Sequence, residues 1–249
     1  MVSDQQRRQI EQQFHDQTAH VERRDFYAWG ALRTADEYAY ALVGDPSGCV
    51  VLDLGCGQGA HTRWFARRGA VVHATDVSWE MVDETLRRAA AAGLEPCIRA
   101  AQMAAEALAY PDNSFDLVFG HSVIHHTEMH AALAEIARVL KPGGRAIFLE
   151  PLAHNPLIAL FRRLTPWRRT PTEQPLRWQD IRQIAAPFSR CDYRVFYLVA
   201  LLAFAALPLR SHGLFQALLR AGEHADHWLL RAAPALQRYA WVIVLHLTK

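Results

Sequence analysis

Val50-Val51-Leu52-Asp53-Leu54-Gly55-Cys56-Gly57-Gln58-Gly59-Ala60 changes character halfway along. Its first half is an apolar, β-branched run that reads as a buried strand. Its second half places a glycine at every other position and then opens a helical pattern. Glycine is wanted where a backbone must turn sharply and approach a ligand closely, with the amides of a helix start pointing at it. Read as GxGxxA, the loop also fits the dinucleotide fingerprint. Asp76, ending the next apolar run 21 positions after Gly55, suits ribose hydroxyls in either case. The glycine spacing alone leaves both ligand classes open.

The same rhythm continues on both sides. Cys49–Leu54 reads as a strand, Gly59–Arg68 as a helix, Ala70–Thr75 as a strand and Ser78–Ala92 as a helix. Strands follow at Cys97–Met103 and Phe115–Gly120, a helix at Met129–Leu140, then a Pro142-Gly143-Gly144 turn into a strand at Arg145–Leu149. Strand–helix–strand alternation implies parallel pairing through right-handed crossovers, hence a doubly wound α/β sheet. Residues 1–45 read as a helical segment carrying Phe14, Phe26, Tyr27, Trp29, Leu32, Tyr38 and Tyr40. The segment is placed to cover the active site, and the main domain spans 46–249. Toward the C-terminus, Pro151–Pro175 is rich in proline and arginine. Trp178–Ala186 reads as a helix, and Asp192–Leu198 and Tyr239–Leu247 as strands. Between those strands lies an apolar helical cap at about 199–237, too long for a hairpin.

With 249 residues, 51% of them hydrophobic, the chain is ample for a full core and too apolar for disorder. Lys and Arg (27) nearly balance Asp and Glu (25), which gives no reason to expect nucleic acid. Cys49, Cys56, Cys97 and Cys191 form neither a CxxC pair nor a metal spacing, so reduced thiols and a cytoplasmic location are expected. The N-terminus, MVSDQQRRQIEQQF, is polar where a signal peptide is apolar. The longest apolar run, Val195–Leu209, has 15 residues including Pro208, short of the roughly 20 that span a bilayer.

Asp53 separates the two ligand classes. A carboxylate beside the cradle repels a pyrophosphate and attracts an ammonium or sulfonium. S-adenosylmethionine carries both cations, whereas a nicotinamide dinucleotide carries phosphates at that place. Together with VVHATDVSWEM, MAAEALAYPDNSFDLVFG, HSVIHH and RVLKPGGRAIFLEP, the glycine stretch resembles the class I S-adenosylmethionine-dependent methyltransferases, in the small-molecule group that includes quinone- and sterol-type enzymes. The resemblance covers about residues 50–151. It implies a Rossmann-like sheet of seven strands whose last strand, here Tyr239–Leu247, inserts antiparallel. It also implies S-adenosyl-L-methionine as cofactor and S-adenosyl-L-homocysteine as product.

By position, the resemblance puts Gly55, Cys56, Gly57 and Gly59 against the methionine and ribose, Asp53 near the amino end, and Asp76 on both ribose hydroxyls. Val77 and Met81 flank the adenine, Ala105 offers its backbone N–H, and His121 joins the cofactor set. The family often has Asp where this chain has Ala104, which leaves Glu106 or water to accept from the adenine amine.

Residues 121–130 hold four of the thirteen histidines, at the strand edge where open parallel sheets bind ligands. Methylating a hydroxyl needs alignment, exclusion of water and removal of a proton. His125 and His126 are the candidate bases, with His154 a third, and loop packing is the competing role. His121/His125 and His126/His130 stand four apart but lack a third ligand, so no metal is expected. Arg162, Arg163, Arg168 and Arg169 precede the apolar cap. That pairing suits a hydrophobic or lipid-like acceptor with an anionic or phenolic head, or peripheral contact with an anionic membrane. Packing on the sheet or a homodimer face accounts for the same residues. The expectation is methyl transfer to a small hydrophobic acceptor, at oxygen, in secondary-metabolite, quinone or lipid metabolism. Carbon methylation of an activated ring and a cofactor-binding cyclase are the alternatives; a non-catalytic scaffold is opposed by the intact Asp53, Gly55, Gly57 and Asp76.

Overall fold

The computed structural model describes residues 3–21 and 29–249; Phe26 and Tyr27, counted among the N-terminal aromatics, lie outside them. The helices are α1 (Asp4–Thr18), α2 (Arg33–Val43), α3 (Ala60–Ala66), α4 (Trp79–Ala91), α5 (Met129–Val139), α6 (Pro156–Leu164), α7 (Asp180–Ala185) and α8 (His212–Ala232). The strands are β1 (Val50–Leu54), β2 (Val71–Asp76), β3 (Ile98–Gln102), β4 (Phe115–His121), β5 (Leu140–Pro151), β6 (Arg190–Phe196) and β7 (Val242–Thr248).

They form one seven-stranded sheet in the order β3-β2-β1-β4-β5-β7-β6, with β7 antiparallel to both neighbours. The doubly wound fold class with an antiparallel last strand is therefore as the sequence indicates. Successive residues of β1 enter opposite cores, because side chains alternate across a strand. Val51 joins Phe65, Phe119, Ile147 and Phe215 on one side. Leu52 and Leu54 join Ile124, Leu133, Ile136 and Phe148 on the other. Burial on both faces is what makes VVLDL read as an unbroken apolar run.

Helix starts are fixed by short polar side chains. Ser78 accepts from the Met81 N–H at 3.1 Å, Asn155 from Leu157 and Ile158, and Glu128 from His130 and Ala131. Differences from the expected boundaries are mostly of one or two residues. The larger departure is β5, which begins at Leu140: the Pro-Gly-Gly turn lies inside a strand whose register against β4 shifts between Phe115 and Leu117.

The 199–237 stretch is a ten-residue 3-10 run (Ala200–Leu209), α8 and a second 3-10 segment (Pro234–Tyr239). Ala200, Leu201, Ala203, Phe215 and Leu219 share the core of the sheet. Buried Asp226 on α8 accepts from the Leu198 and Val199 amides at 2.8 and 2.7 Å, clamping the helix to the end of β6. A Cβ on Gly222 would lie 2.5 Å from the Ala200 Cα, so only glycine permits this approach. Among the described residues no helix is long and apolar enough to cross a membrane, and the four cysteines are unbridged.

Candidate active site

The glycine loop crosses the carboxyl ends of β1 and β2. Gly55 and Cys56 donate their amides to the Thr75 carbonyl at 2.8 and 2.9 Å, which folds the loop over β2. Gly55, Gly57 and Gly59 all have positive φ. At Gly55 a Cβ would lie 2.7 Å from Val123, and at Gly59 2.8 Å from Thr85, so those two positions are packed shut. At Gly57 nothing lies within 4 Å. The loop is sealed at both ends and open in the middle, as a cradle for a ligand must be.

Two carboxylates face this opening from adjacent strand ends. Asp53, 1% exposed, accepts from the Thr62 hydroxyl, and burial raises its pKa to about 6. Asp76 accepts from the Gly57 amide on Oδ2 and the Ser78 amide on Oδ1, both at 3.0 Å. Burial pushes it up as well, against the pull of His15 and those amides. Enclosed carboxylates held above their usual range are poised to gain from a cationic or hydroxyl-bearing ligand. This donor set fits the S-adenosyl group expected from the sequence and is repulsive to a phosphate.

α1 lies across the mouth. Asp16 accepts from the Ser78 hydroxyl, and Gln58 donates to the Ala19 and Val21 carbonyls. A pocket of about 300 Å³ opens between Gln5, Arg8, Gln9 and Gln12 of α1 and Val77, Gln102, Met103 and Ala104. Val77 lines this pocket. Met81 and Ala105 are buried behind it. Glu106 does not take the place of the acid missing at Ala104: its Oε1 accepts from the Glu128 amide at the start of α5, and it does not line the pocket. Cys56 is buried beside the Thr85 hydroxyl, and burial pushes its thiol up, which makes it inert packing.

The histidines separate by position. His125 is buried, with Nδ1 2.6 Å from Glu150 and Nε2 3.4 Å from Glu173. Burial disfavours its charge, but the two carboxylates outweigh that and raise its pKa to about 9. An imidazolium engaged on both nitrogens has no lone pair for a proton, so the expectation of His125 as a base is corrected. It instead holds the loop after β4, where Glu150 also accepts from the Val123 and Ile124 amides.

His126 turns toward α1. Its Nδ1 lies 2.9 Å from Glu11 Oε2, a close contact without hydrogen-bond alignment. Burial and the neighbouring His125 charge lower its pKa against the pull of Glu11. The other oxygen of Glu11 accepts from the Thr170 and Thr172 hydroxyls. His154 is exposed, its Nε2 accepting from the Trp178 amide at 3.3 Å. The neighbouring Leu152 is bridged to Leu176.

His121, at the tip of β4, meets an acid from α2. Its Nε2 is 3.1 Å from Asp36 Oδ1 on α2, and its ring stacks on His61 at 4.9 Å. His61 in turn meets the Tyr40 hydroxyl at 2.7 Å, and burial followed by the His121 charge lowers its pKa to about 3. Tyr40 stacks on Trp64 at 3.9 Å. His121 is therefore set between a carboxylate and an aromatic wall.

Glu11, His15 and His126, and likewise His125, His126 and Glu173, bring ligand-type atoms within 4.8 Å of one another. No spacing in the sequence signals either group, since α1 meets the β4 loop only in the folded chain. The same holds for Asp36. Glu150, an acid at the ligand-facing end of a strand and followed by proline, is the missed residue that its place alone identifies.

Residues 52–148 match the family model described as a methyltransferase domain. The chain is 40% identical over 131 residues to the ubiquinone/menaquinone biosynthesis C-methyltransferase of Hydrogenovibrio crunogenus, covering 51% of each protein. It is 41% identical over 101 residues to the malonyl-[acyl-carrier protein] O-methyltransferase of Halorhodospira halophila, covering 39% of this chain and 33% of that one. It thus spans about half of the first relative and a third of the second. Among solved structures it resembles the [4+2]-cyclase SpnF, with a TM-score of 0.66 at 23% identity and coverage of 97% and 95%. It also resembles the geranyl diphosphate C-methyltransferase of Streptomyces coelicolor A3(2), with a TM-score of 0.64 at 14% identity and 97% of both chains. At those identities the likeness is one of fold.

Proposed function

Residues 52–148 match a methyltransferase domain, and from that premise we propose that the chain is a class I S-adenosylmethionine-dependent methyltransferase that binds S-adenosylmethionine and methylates an oxygen of a small hydrophobic acceptor. The observation that carries this reading is the pair of enclosed carboxylates at adjacent strand ends, Asp53 and Asp76, with Asp76 bonded to the amide of an open Gly57. When bound, the cofactor supplies a methyl carbon already activated by its sulfonium. Asp53 attracts the methionine ammonium, Asp76 accepts from the ribose hydroxyls, and Val77 with Met81 and Ala105 borders the adenine.

His121 is the residue for proton removal. With Nε2 held by Asp36, its Nδ1 is the nitrogen left to take a hydroxyl proton, and Asp36 stabilises the imidazolium that forms. The Tyr40–Trp64–His61 wall keeps water from that side of the ring and offers an aromatic surface to the acceptor. His125 and Glu150 keep the β4 loop in place, and His126 with Glu11 seats α1 over the cradle.

The test has two parts. Calorimetry with S-adenosylhomocysteine should show binding by the wild type, weakened about tenfold by Asp76→Ala through loss of a bidentate acceptor. Phenolic, polyketide, isoprenoid and lipid acceptors are then compared by released S-adenosylhomocysteine, with product analysis to show whether oxygen carries the methyl. Unchanged binding by Asp76→Ala removes it from the ribose, and a product methylated at carbon overturns the oxygen reading.

A further inference from the structure

α6 is a helix without a buried residue. Leu157, Leu160 and Leu164 recur at helical spacing on one stripe and are 46%, 55% and 64% exposed, and Trp167 just beyond them is 73% exposed. The opposite side attaches the helix: Ile158 packs on the core and Arg162 reaches Glu173 at 2.7 Å. Large apolar side chains turned outward in so short a segment mark a surface built to be covered. A basic flank accompanies them. Exposed Arg163 borders the stripe and Arg168 stands beside Trp167, while no Asp or Glu occurs from Pro151 to Thr172.

We infer that this face docks on a bilayer carrying anionic lipid. Leucines on one side of a short helix, followed by an exposed tryptophan and flanked by arginines, are the composition of an interfacial segment. The apolar stripe enters the headgroup boundary while the guanidinium groups meet lipid phosphates. A second copy of the chain is the poorer occupant, because a two-fold contact through this stripe brings Arg163 and Arg168 of both copies together. The face also leads into the site already described. Glu173, the partner of Arg162, contacts His125, and Thr170 and Thr172 hold Glu11 of α1. A docked α6 therefore places the clasp of α1 next to the membrane, where a lipid-soluble molecule would arrive.

This inference stands apart from the methyl-transfer reading, and its test uses no cofactor. The full-length protein is sedimented with phosphatidylcholine vesicles containing either no anionic lipid or about 30 mol % phosphatidylglycerol. The wild type should partition at least about tenfold more strongly onto the anionic vesicles, with the preference falling at high salt. Leu160→Asp with Leu164→Asp, and separately Arg163→Glu with Arg168→Glu, should each lower that partitioning about tenfold or more at unchanged melting temperature. A blue shift of tryptophan fluorescence on binding should be lost in Trp167→Phe. Wild type that stays in the supernatant, binding indifferent to both variant pairs, or a solution dimer that the leucine variants dissociate would each overturn the proposal.

Discussion

Acidification through pH 6 should release an ammonium-bearing ligand from the cradle, and Asp53→Asn should abolish that response. Burial holds Asp53 near a pKa of about 6 in the free protein, so at pH 7 it is mostly ionised and at pH 5 mostly protonated. A cation bound beside it requires the ionised form. Binding is then linked to release of one proton, and the affinity falls as the pH drops. Between pH 7 and pH 5 the ionised fraction changes about tenfold, equivalent to about 1.4 kcal/mol of binding free energy. Calorimetry with S-adenosylhomocysteine in buffers of differing ionisation enthalpy reads both the affinity and the protons released. Adenosine, which lacks the ammonium but keeps the ribose, isolates the contribution of Asp76. In Asp53→Asn the acid limb should vanish for S-adenosylhomocysteine, and the affinity at pH 7 should resemble that of the wild type at pH 5. The same raised pKa works against the empty fold. Its stabilising contribution is complete below the unfolded value near 4 and is lost as the pH rises through 6. The ionised carboxylate thus costs on the order of 3 kcal/mol at neutral pH, and Asp53→Asn should raise the melting temperature there. An affinity for S-adenosylhomocysteine that is flat from pH 5 to 7, or that falls equally in Asp53→Asn, would refute the assignment of Asp53 to the ammonium.

Two further expectations concern the histidines. His125 has its pKa raised to about 9 by Glu150 and Glu173 despite burial, so its stabilisation is complete below the unfolded value near 6.5 and disappears as the pH rises through 9. Urea midpoints should fall over that window in the wild type. His125→Gln should lose about 3 kcal/mol at pH 7, because it leaves Glu150 buried without its cation, and should show a flatter alkaline profile. An equally steep profile in the variant would remove His125 as the source. His121→Ala and Asp36→Asn should lower kcat by about 100-fold or more with S-adenosylhomocysteine affinity kept, and turnover that survives both changes would exclude the pair as the base.

What the sequence made legible were the local features. β1, the glycine loop and the start of α3 are contiguous, and Asp76 ends the next strand, so one stretch of chain carries the cradle and its distal acid together. The parallel order followed from alternation, since strands such as VVLDL must bury both faces. The ten-residue 3-10 run at Ala200–Leu209 was not legible, because an apolar stretch has the same composition whether it winds tightly or as an α-helix, and its tight contact at Gly222 comes from α8. The histidine roles were not legible for a related reason. HSVIHH shows four residue types and no partners, while each ring meets an acid from another element: Asp36 from α2 for His121, Glu150 and Glu173 for His125, and Glu11 from α1 for His126.

Those partners also give the site its order of assembly in space. The sheet fixes Asp53, Asp76 and Glu150 at strand ends that β1, β2 and β5 hold rigidly, so the cradle and the anchor of the β4 loop are set by the fold itself. α1 and the 165–173 segment add contacts from outside the sheet, through Glu11, Asp16, Thr170, Thr172 and Glu173. Glu11 at His126 and Asp16 at Ser78 tie α1 over the cradle. α1 is thus tied to the site by polar side chains, while the carboxylates it covers are held by the sheet.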